Sequence, residues 1–281
     1  HTAATFDLSV WEFWSALVCG GRVVVADADG HGDPAYLNDL VDAHDVSVLH
    51  AVPSQVHALI AVRDRAFRPA LRAVLAIGET LPRALAKQLG GGPALFNLYG
   101  PTEATVSVTM HDVAPSTSEV VPIGLPVWNT DVHVLDRRLN RVPDGVVGEL
   151  YLGGGQLARG YLGRPDLTAE RFVAHRFGAP GERIYRTGDL VRWQRGELEF
   201  VGRSDTQVKL RGFRIELGEV EAALAGLAGV DQSVAIVHDD ERLGPQLLGY
   251  VVAHHGVELD PVTVRAAVAP LLPNYMVPAA V

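Results

Sequence analysis

Asn97-Leu98-Tyr99-Gly100-Pro101-Thr102-Glu103 gathers an amide, an aromatic ring, a tight turn, a hydroxyl and a carboxylate into one short stretch. Such a set suits a nucleotide. Tyr99 offers a flat ring to a base and Asn97 an amide for a base edge, while Gly100-Pro101 turns the chain with little side-chain bulk. Thr102 and Glu103 follow with hard oxygen donors of the kind that hold magnesium on a phosphate. A bare Tyr-Gly-Pro is equally well a turn with a packed tyrosine; the flanking amide, hydroxyl and carboxylate favour the chemical reading. Asp7 is a second candidate. It lies between Phe6 and Leu8 with Trp11 close by, where an unpaired carboxylate is costly and calls for a cation. Its plain alternative is a helix cap for residues 10–17, a role Ser9 can share. Lys209, Arg211 and Arg214 form a basic stripe with Glu216 and Glu219 behind it, which a solvated strand face explains equally well.

These groups must be carried by regular elements. Residues 21–26, 46–50 and 73–77 are short, nearly all-apolar, β-branched runs, the pattern of strands buried on both faces. Between them, residues 34–44 and 53–63 carry apolar side chains at helical spacing with proline in the first turn. This alternation predicts a parallel α/β sheet layer over about residues 1–120. The texture then changes to strands and turns, with Val142-Pro143-Asp144-Gly145 as one turn, and predicts a β-rich subdomain over about 121–204. A boundary is expected at Ser204-Asp205. Residues 196–202 alternate as a strand before it and 207–215 alternate again after it. A helix over 216–227 with acids in its first turn, strands at 234–237 and 247–252, and a helix over 261–271 complete a small α+β subdomain, 205–281.

Bulk properties exclude several functions. The 281 residues are 48% hydrophobic and 20% charged with a net charge of -9, an ordinary core-forming composition without a surface built to neutralise nucleic acid. The single cysteine, Cys19, rules out a disulfide framework and reads as a small buried hydrophobe in a reducing compartment. No apolar run approaches the roughly 18 residues that span a bilayer, and the start lacks a basic-then-apolar leader. A cytoplasmic chain without a membrane is expected. His44, His50 and His57 are spaced too widely for one zinc-binding face, and His254-His255 and Asp239-Asp240-Glu241 fall in expected turns. There is no GxxxxGK[ST] loop and no Gly-x-Ser-x-Gly elbow, and the triple glycines at 90–92 and 153–155 lack dinucleotide spacing.

Further segments join the opening heptad in a fixed order. They are Phe6-Asp7-Leu8-Ser9, Gly148-Glu149-Leu150 through Ala158-Arg159-Gly160-Tyr161-Leu162, Tyr185-Arg186-Thr187-Gly188-Asp189-Leu190, the run from Gly202 to Glu219, and Leu272-Pro273-Asn274-Tyr275-Met276-Val277-Pro278. Together they resemble the adenylation domain of a nonribosomal peptide synthetase, within the adenylate-forming (AMP-binding) enzymes, over essentially the whole chain. The family's Ser/Thr/Gly-rich phosphate loop and its terminal Asn-Gly-Lys segment are not present, so the chain is expected to be an internal fragment, truncated at both ends and inactive alone.

The resemblance implies activation of an amino acid by ATP to an aminoacyl-AMP, then transfer to a phosphopantetheine thiol on a peptidyl carrier domain. It implies that Asp7 pairs with the substrate α-ammonium and that Leu8, Trp11, His50, Leu75, Ile77, Leu98, Val106 and Ser107 line the side-chain pocket. His50 alone has a plain alternative as a core histidine at a strand end. That lining is similar to the serine-selecting version at Asp7, Trp11, His50, Leu75 and Leu98. It departs at Ile77 and Ser107, where a hydroxyl residue and a carboxylate are lost, so a small or medium neutral amino acid is expected. Tyr99 is implied to stack on adenine near Asn97, Gly100 and the backbone of Gly78-Glu79. Thr102 is implied to contact phosphate, Glu103 to hold Mg2+, Asp189 to take the ribose hydroxyls and Arg203 to support ribose or phosphate. The 205–281 part is implied to rotate about Asp205 and bring Lys209 and Gly212 to the pantetheine channel. A neighbouring condensation domain and a small MbtH-like activator protein are further implied partners. An acyl- or aryl-CoA ligase of the same superfamily and a noncatalytic truncated binding module are the competing readings.

Overall fold

Proline is the first residue of two helices in the first layer. The computed structural model describes residues 2, 4–28, 30–64, 66–89, 91–113, 120–210, 212–240 and 244–281. Helix α1 spans Leu8–Val18 and α2 Pro34–Ala43. At the latter, Asp33 Oδ1 accepts from the amides of Ala35 (2.8 Å) and Tyr36 (3.3 Å), which satisfies donors that a first turn leaves unpaired. Strand β1 (Val48–Ala51), α3 (Pro53–Ala61), β2 (Ala73–Ile77), α4 (Arg83–Gln88) and β3 (Ala94–Tyr99) follow. A short 3-10 turn, Thr102–Ala104, leads to β4 (Thr109–Asp112) and β5 (Leu125–Pro126).

These strands form one sheet in the order β1-β2-β3-β4-β5, parallel from β1 to β3 and antiparallel from β3 to β5. Register sets His50 beside Leu75 and Ile77 beside Leu98. Because side chains alternate across a strand, these four share one face. Ala51, Val74, Ala76 and Leu95 take the other, where they pack with Val41 of α2, Val56 of α3 and Leu85 of α4. Burial of an aliphatic side chain such as Val56 or Val74 contributes about 1.5–3 kcal/mol each.

The second layer is antiparallel. Strands β6 (Thr130–Leu135), β7 (Gly148–Gly154), β8 (Phe172–Ala174), β9 (Arg183–Gln194) and β10 (Glu197–Arg203) pair in the order β10-β9-β7-β6, with β8 also on β9; helix α5 (Pro165–Arg171) precedes β8. Tyr99, Val108 and Ile123 from the first layer and Leu150, Leu152, Tyr185 and Leu198 from the second make one core. The layers are also stitched by the amide of Ile123 donating to Leu198 O (2.8 Å) and by His111 Nδ1 against Glu197 Oε1 (2.7 Å).

The chain divides into two compact units, His1–Ser204 and Asp205–Val281. In the second, β11 (Gln207–Leu210) pairs with β12 (Phe213–Glu216), α6 spans Leu217–Ala225, β13 (Val230–Asp240) pairs with β14 (Gly244–Ala253), and α7 spans Pro261–Val268. Ile215, Val220, Leu224, Leu247 and Val268 are its core.

Several sequence expectations need correction. Residues 21–26 form no strand. They find no ladder partner, and Val25 is 74% exposed. The first sheet is parallel only in its first half and reaches past residue 120 to take in β5. The alternation over 207–215 is not one strand but the β11–β12 hairpin, because Gly212 (φ 80°) turns the chain. Helix α7 stops at Val268 and tightens into the 3-10 turn Ala269–Leu271, since Pro270 has no N–H to give. Asp239 and Asp240 belong to β13 rather than a turn, whereas Glu241 and Arg211 lie outside the described residues. Cys19 is exposed, not buried; it follows a helix whose Val10, Phe13, Trp14, Leu17 and Val18 are also exposed.

Candidate active site

Leu98 and Tyr99, adjacent at the end of β3, face different compartments. On the Leu98 side, Ile77, Leu98 and Val106 form a buried cluster against which Leu8, Trp11 and Leu75 pack. Trp11 meets the His50 ring edge-on, with centroids 5.5 Å apart. His50 is 8% exposed, and among the described residues its Nδ1 has no hydrogen-bond partner. Burial holds its pKa below the ordinary imidazole range, with Glu12 opposing, so the ring is neutral. Ser107 is buried, and its hydroxyl donates to Thr109 O at 3.3 Å.

Asp7 occupies the N-cap position of α1 but its side chain makes no capping bond. Ser9 instead donates to Phe6 O (2.7 Å) and bends the entry to the helix. Helical spacing sets Asp7 one turn before Trp11 on the same face. The cap alternative for Asp7 is therefore not the role it plays in this fold.

On the Tyr99 side the chemistry is charged. Asp189 is 2% exposed; its Oδ1 accepts from Arg203 Nη1 at 2.6 Å and its Oδ2 from the Tyr99 hydroxyl. Thr187 Oγ1 receives the Asp189 amide (2.9 Å) and donates to Leu150 O (2.8 Å), and Arg203 Nη2 reaches Thr187 O (3.3 Å). Burial first, then the charge of Asp189, push the Tyr99 phenol well above its usual range. Tyr99 is only 5% exposed. The Tyr99 ring packs in the core between the layers and its hydroxyl bonds to the Asp189 carboxylate. Asn97 is also engaged, its Nδ2 donating to Pro122 O (2.7 Å). Gly78 turns with φ 95°. Glu79 next to it accepts from the Ser54 amide (2.8 Å) and hydroxyl (2.9 Å) and so caps α3.

Between the two compartments runs the turn after β3. Thr102 is exposed, while Glu103 is 8% exposed and accepts from the Tyr161 hydroxyl at 2.6 Å. Burial, then that bond to Glu103, raise the Tyr161 pKa. Tyr161 was legible only as part of a motif; that its hydroxyl holds Glu103 depends on a contact 58 residues distant. Gly100 is required where it stands, since a Cβ there would lie 2.4 Å from Val106 O and 2.7 Å from Ser107 Cα. No group of three or more His, Cys, Asp or Glu side chains able to hold a metal gathers among the described residues. The single buried carboxylate of Glu103 fits a magnesium ion that is otherwise held by phosphates.

Lys209 is exposed on β11, in register with Arg214 on β12, and lies in the second unit. Asp205 begins that unit, its Oδ1 accepting from the Gln207 amide (3.3 Å), whereas Ser204 before it bonds to Gly188 O through both amide (2.8 Å) and hydroxyl (3.0 Å). No helix among the described residues is long and apolar enough to cross a membrane.

A family model described as AMP-binding enzyme matches residues 2–162. Enterobactin synthase component F of Escherichia coli (strain K12) is 44% identical over 296 residues, which cover 99% of this chain and 23% of that protein. PA1221, an NRPS protein containing adenylation and PCP domains, superposes with a TM-score of 0.86 at 28% identity, over 99% of this chain and 56% of its own. The Vibrio cholerae adenylation domain AlmE, in complex with glycyl-adenosine-5'-phosphate, gives a TM-score of 0.86 at 28% identity, over 99% and 53%. The chain thus spans less than a quarter of that curated relative and just over half of these solved chains.

Proposed function

The chain belongs to the AMP-binding enzyme family, and on that premise we propose that it activates an amino acid with ATP for nonribosomal peptide synthesis. A carboxylate oxygen of the amino acid attacks the α-phosphorus, pyrophosphate leaves, and the acyl group then passes to a phosphopantetheine thiol while AMP departs. One observation carries the reading. The end of β3 separates an apolar cluster of Ile77, Leu98 and Val106, packed by Leu8 and Trp11 of the helix that Asp7 opens, from a buried Tyr99–Asp189–Arg203 network.

Each side suits one half of the substrate pair. Asp7 takes the α-ammonium, and the walls from Leu8, Trp11, Leu75, Ile77, Leu98 and Val106 take the side chain. Ser107 spends its hydroxyl on backbone, which leaves the neutral His50 Nδ1 as the polar group of the lining. A small or medium neutral amino acid fits, and a charged one would strand its charge among apolar groups. An ionised carboxylate has about four acceptor positions; Tyr99 and Arg203 use two on Asp189, and the remaining ones suit the ribose hydroxyls. Tyr99, whose hydroxyl donates to Asp189, and Asn97, at the same strand end, stand on the nucleotide side.

Crowding of negative charge at the α-phosphorus must be offset. Thr102 offers an exposed hydroxyl to phosphate, and Glu103, held by Tyr161, would hold Mg2+, which supplies charge neutralisation when bound. Lys209 is assigned a later cationic role and Asp205 that of hinge for the 205–281 unit. The carrier domain is the thiol partner, with a condensation domain and an MbtH-like activator as further partners, all in the cytoplasm.

ATP–pyrophosphate exchange with an amino-acid panel, on the complete enzyme containing this chain, tests the proposal. Best turnover is expected with a small or medium neutral amino acid. Best turnover with Asp, Glu, Lys or Arg would overturn the substrate class, and exchange driven by free fatty or aryl acids would overturn the activity.

A further inference from the structure

The backbone between the two compartments is strained, and what holds it lies far away in sequence. Thr105 and Val106 both have left-handed conformations, φ 59° and 69°. A β-branched residue such as valine keeps such a backbone only where its surroundings impose it. On one side the imposing surface is Gly100, which lets the chain pass against Val106 O. On the other it is Gln156.

We infer that Gln156 is a positioning residue for the amino-acid cleft, acting through the Thr105–Ser107 turn; this rests on the substrate assignment above. Its Nε2 donates to Ser107 O at 3.1 Å and to Thr105 O at 3.4 Å. Thr105 Oγ1 returns a bond to Gln156 O at 2.7 Å. Thr130 Oγ1 donates to Gln156 Oε1 at 2.6 Å and anchors the amide, while the two turn carbonyls, which can only accept, set its NH2 end toward the turn. The turn presents Val106, 3% exposed, to Ile77 and Leu98. Released from the amide, Val106 relaxes toward an ordinary backbone conformation, and its isopropyl group leaves the cleft wall. Glu103 is insulated from that change, because its backbone carbonyl accepts from the Ala158 amide (2.8 Å) and its side chain is held by Tyr161.

Gln156→Ala and Gln156→Glu test this in the complete enzyme, by pyrophosphate exchange with the amino acid and ATP varied separately. The amino-acid KM is expected to rise about tenfold in both variants while the ATP KM stays within about twofold. The glutamate variant keeps the size but cannot donate to the turn carbonyls, so its agreement with alanine marks donation rather than packing. Thr130→Val, which removes the donor that anchors the amide oxygen, gives a smaller rise of the same kind and carries the test if the Gln156 variants do not fold. An unchanged amino-acid KM, or an equal rise for ATP, overturns the inference. Wild-type enzyme that exchanges with no amino acid overturns the substrate assignment instead, before any variant is compared.

Discussion

Replacing Arg203 with alanine strands a carboxylate that is almost wholly inside the protein. The side chains of Asp189 and Arg203 are 3% and 10% exposed, with 2.6 Å between the bonded atoms. Taking away one member of a buried pair costs about 3–5 kcal/mol, because the other keeps its charge without compensation. Tyr99→Phe removes a neutral donor from the same carboxylate and should cost about 1.5–3 kcal/mol. For a unit of roughly 200 residues, the arginine loss corresponds to a melting shift of about 6–20 °C. Urea denaturation of the protein and its variants measures both. If the penalty lies in the stranded charge, adding Asp189→Asn to Arg203→Ala should recover part of the stability. Arg203→Ala within about 1 kcal/mol of wild type, a costlier Tyr99→Phe, or no recovery in the double variant would refute the reasoning.

Other outcomes follow from the same geometry. Tyr99 has a folded pKa raised above the unfolded value of 10.0, so its contribution is intact below that pH and lost as pH climbs toward the folded value; Tyr99→Phe should flatten the alkaline limb of the denaturation midpoint. His50 is depressed below 6.5, so its contribution is present above that pH and drains away as pH falls toward the folded value. His50→Met should flatten that acid limb, and an unchanged pH profile would count against a buried neutral ring. Gly100→Ala should destabilise by about 1–3 kcal/mol through overpacking against Val106 O and lower exchange activity, read by urea midpoint and exchange rate. Asp205→Pro in the complete enzyme should spare adenylation while slowing thiolation about tenfold; equal loss of both steps would argue against a hinge.

Much of the frame was legible because local signals coincide with tertiary ones. Pro34 behind Asp33, and Pro53, mark helix starts that the fold uses, and the run 73–77 becomes β2 at those bounds. Leu75, Ile77, Leu98 and Val106 could be named together, and the fold packs them in one apolar cluster. What failed was whatever depends on a distant partner. Residues 21–26 read as a strand, yet strand identity needs a ladder as well as apolar content. Nor could the sequence show that Pro122 bonds to Asn97, or that Asp189, 90 residues away, bonds to Tyr99. Gln156 carried no signal at all, since one glutamine becomes informative only when the carbonyls it bonds are known. The turn at Gly212 was hidden because alternation continues on both sides of it.

The end of β3 has a consequence for how selectivity can change. Successive side chains there join different neighbourhoods, Leu98 the apolar cluster with Ile77 and Val106 and Tyr99 the network with Asp189. Under the proposed function, exchanging Leu98 for a larger or smaller group retunes the cleft while its neighbour keeps its station. Shortening or lengthening the strand by one residue has the opposite effect: the parity inverts, a phenol lands in the cleft, and the acid across the sheet loses its donor. Variation at this site should therefore proceed by replacement at fixed length.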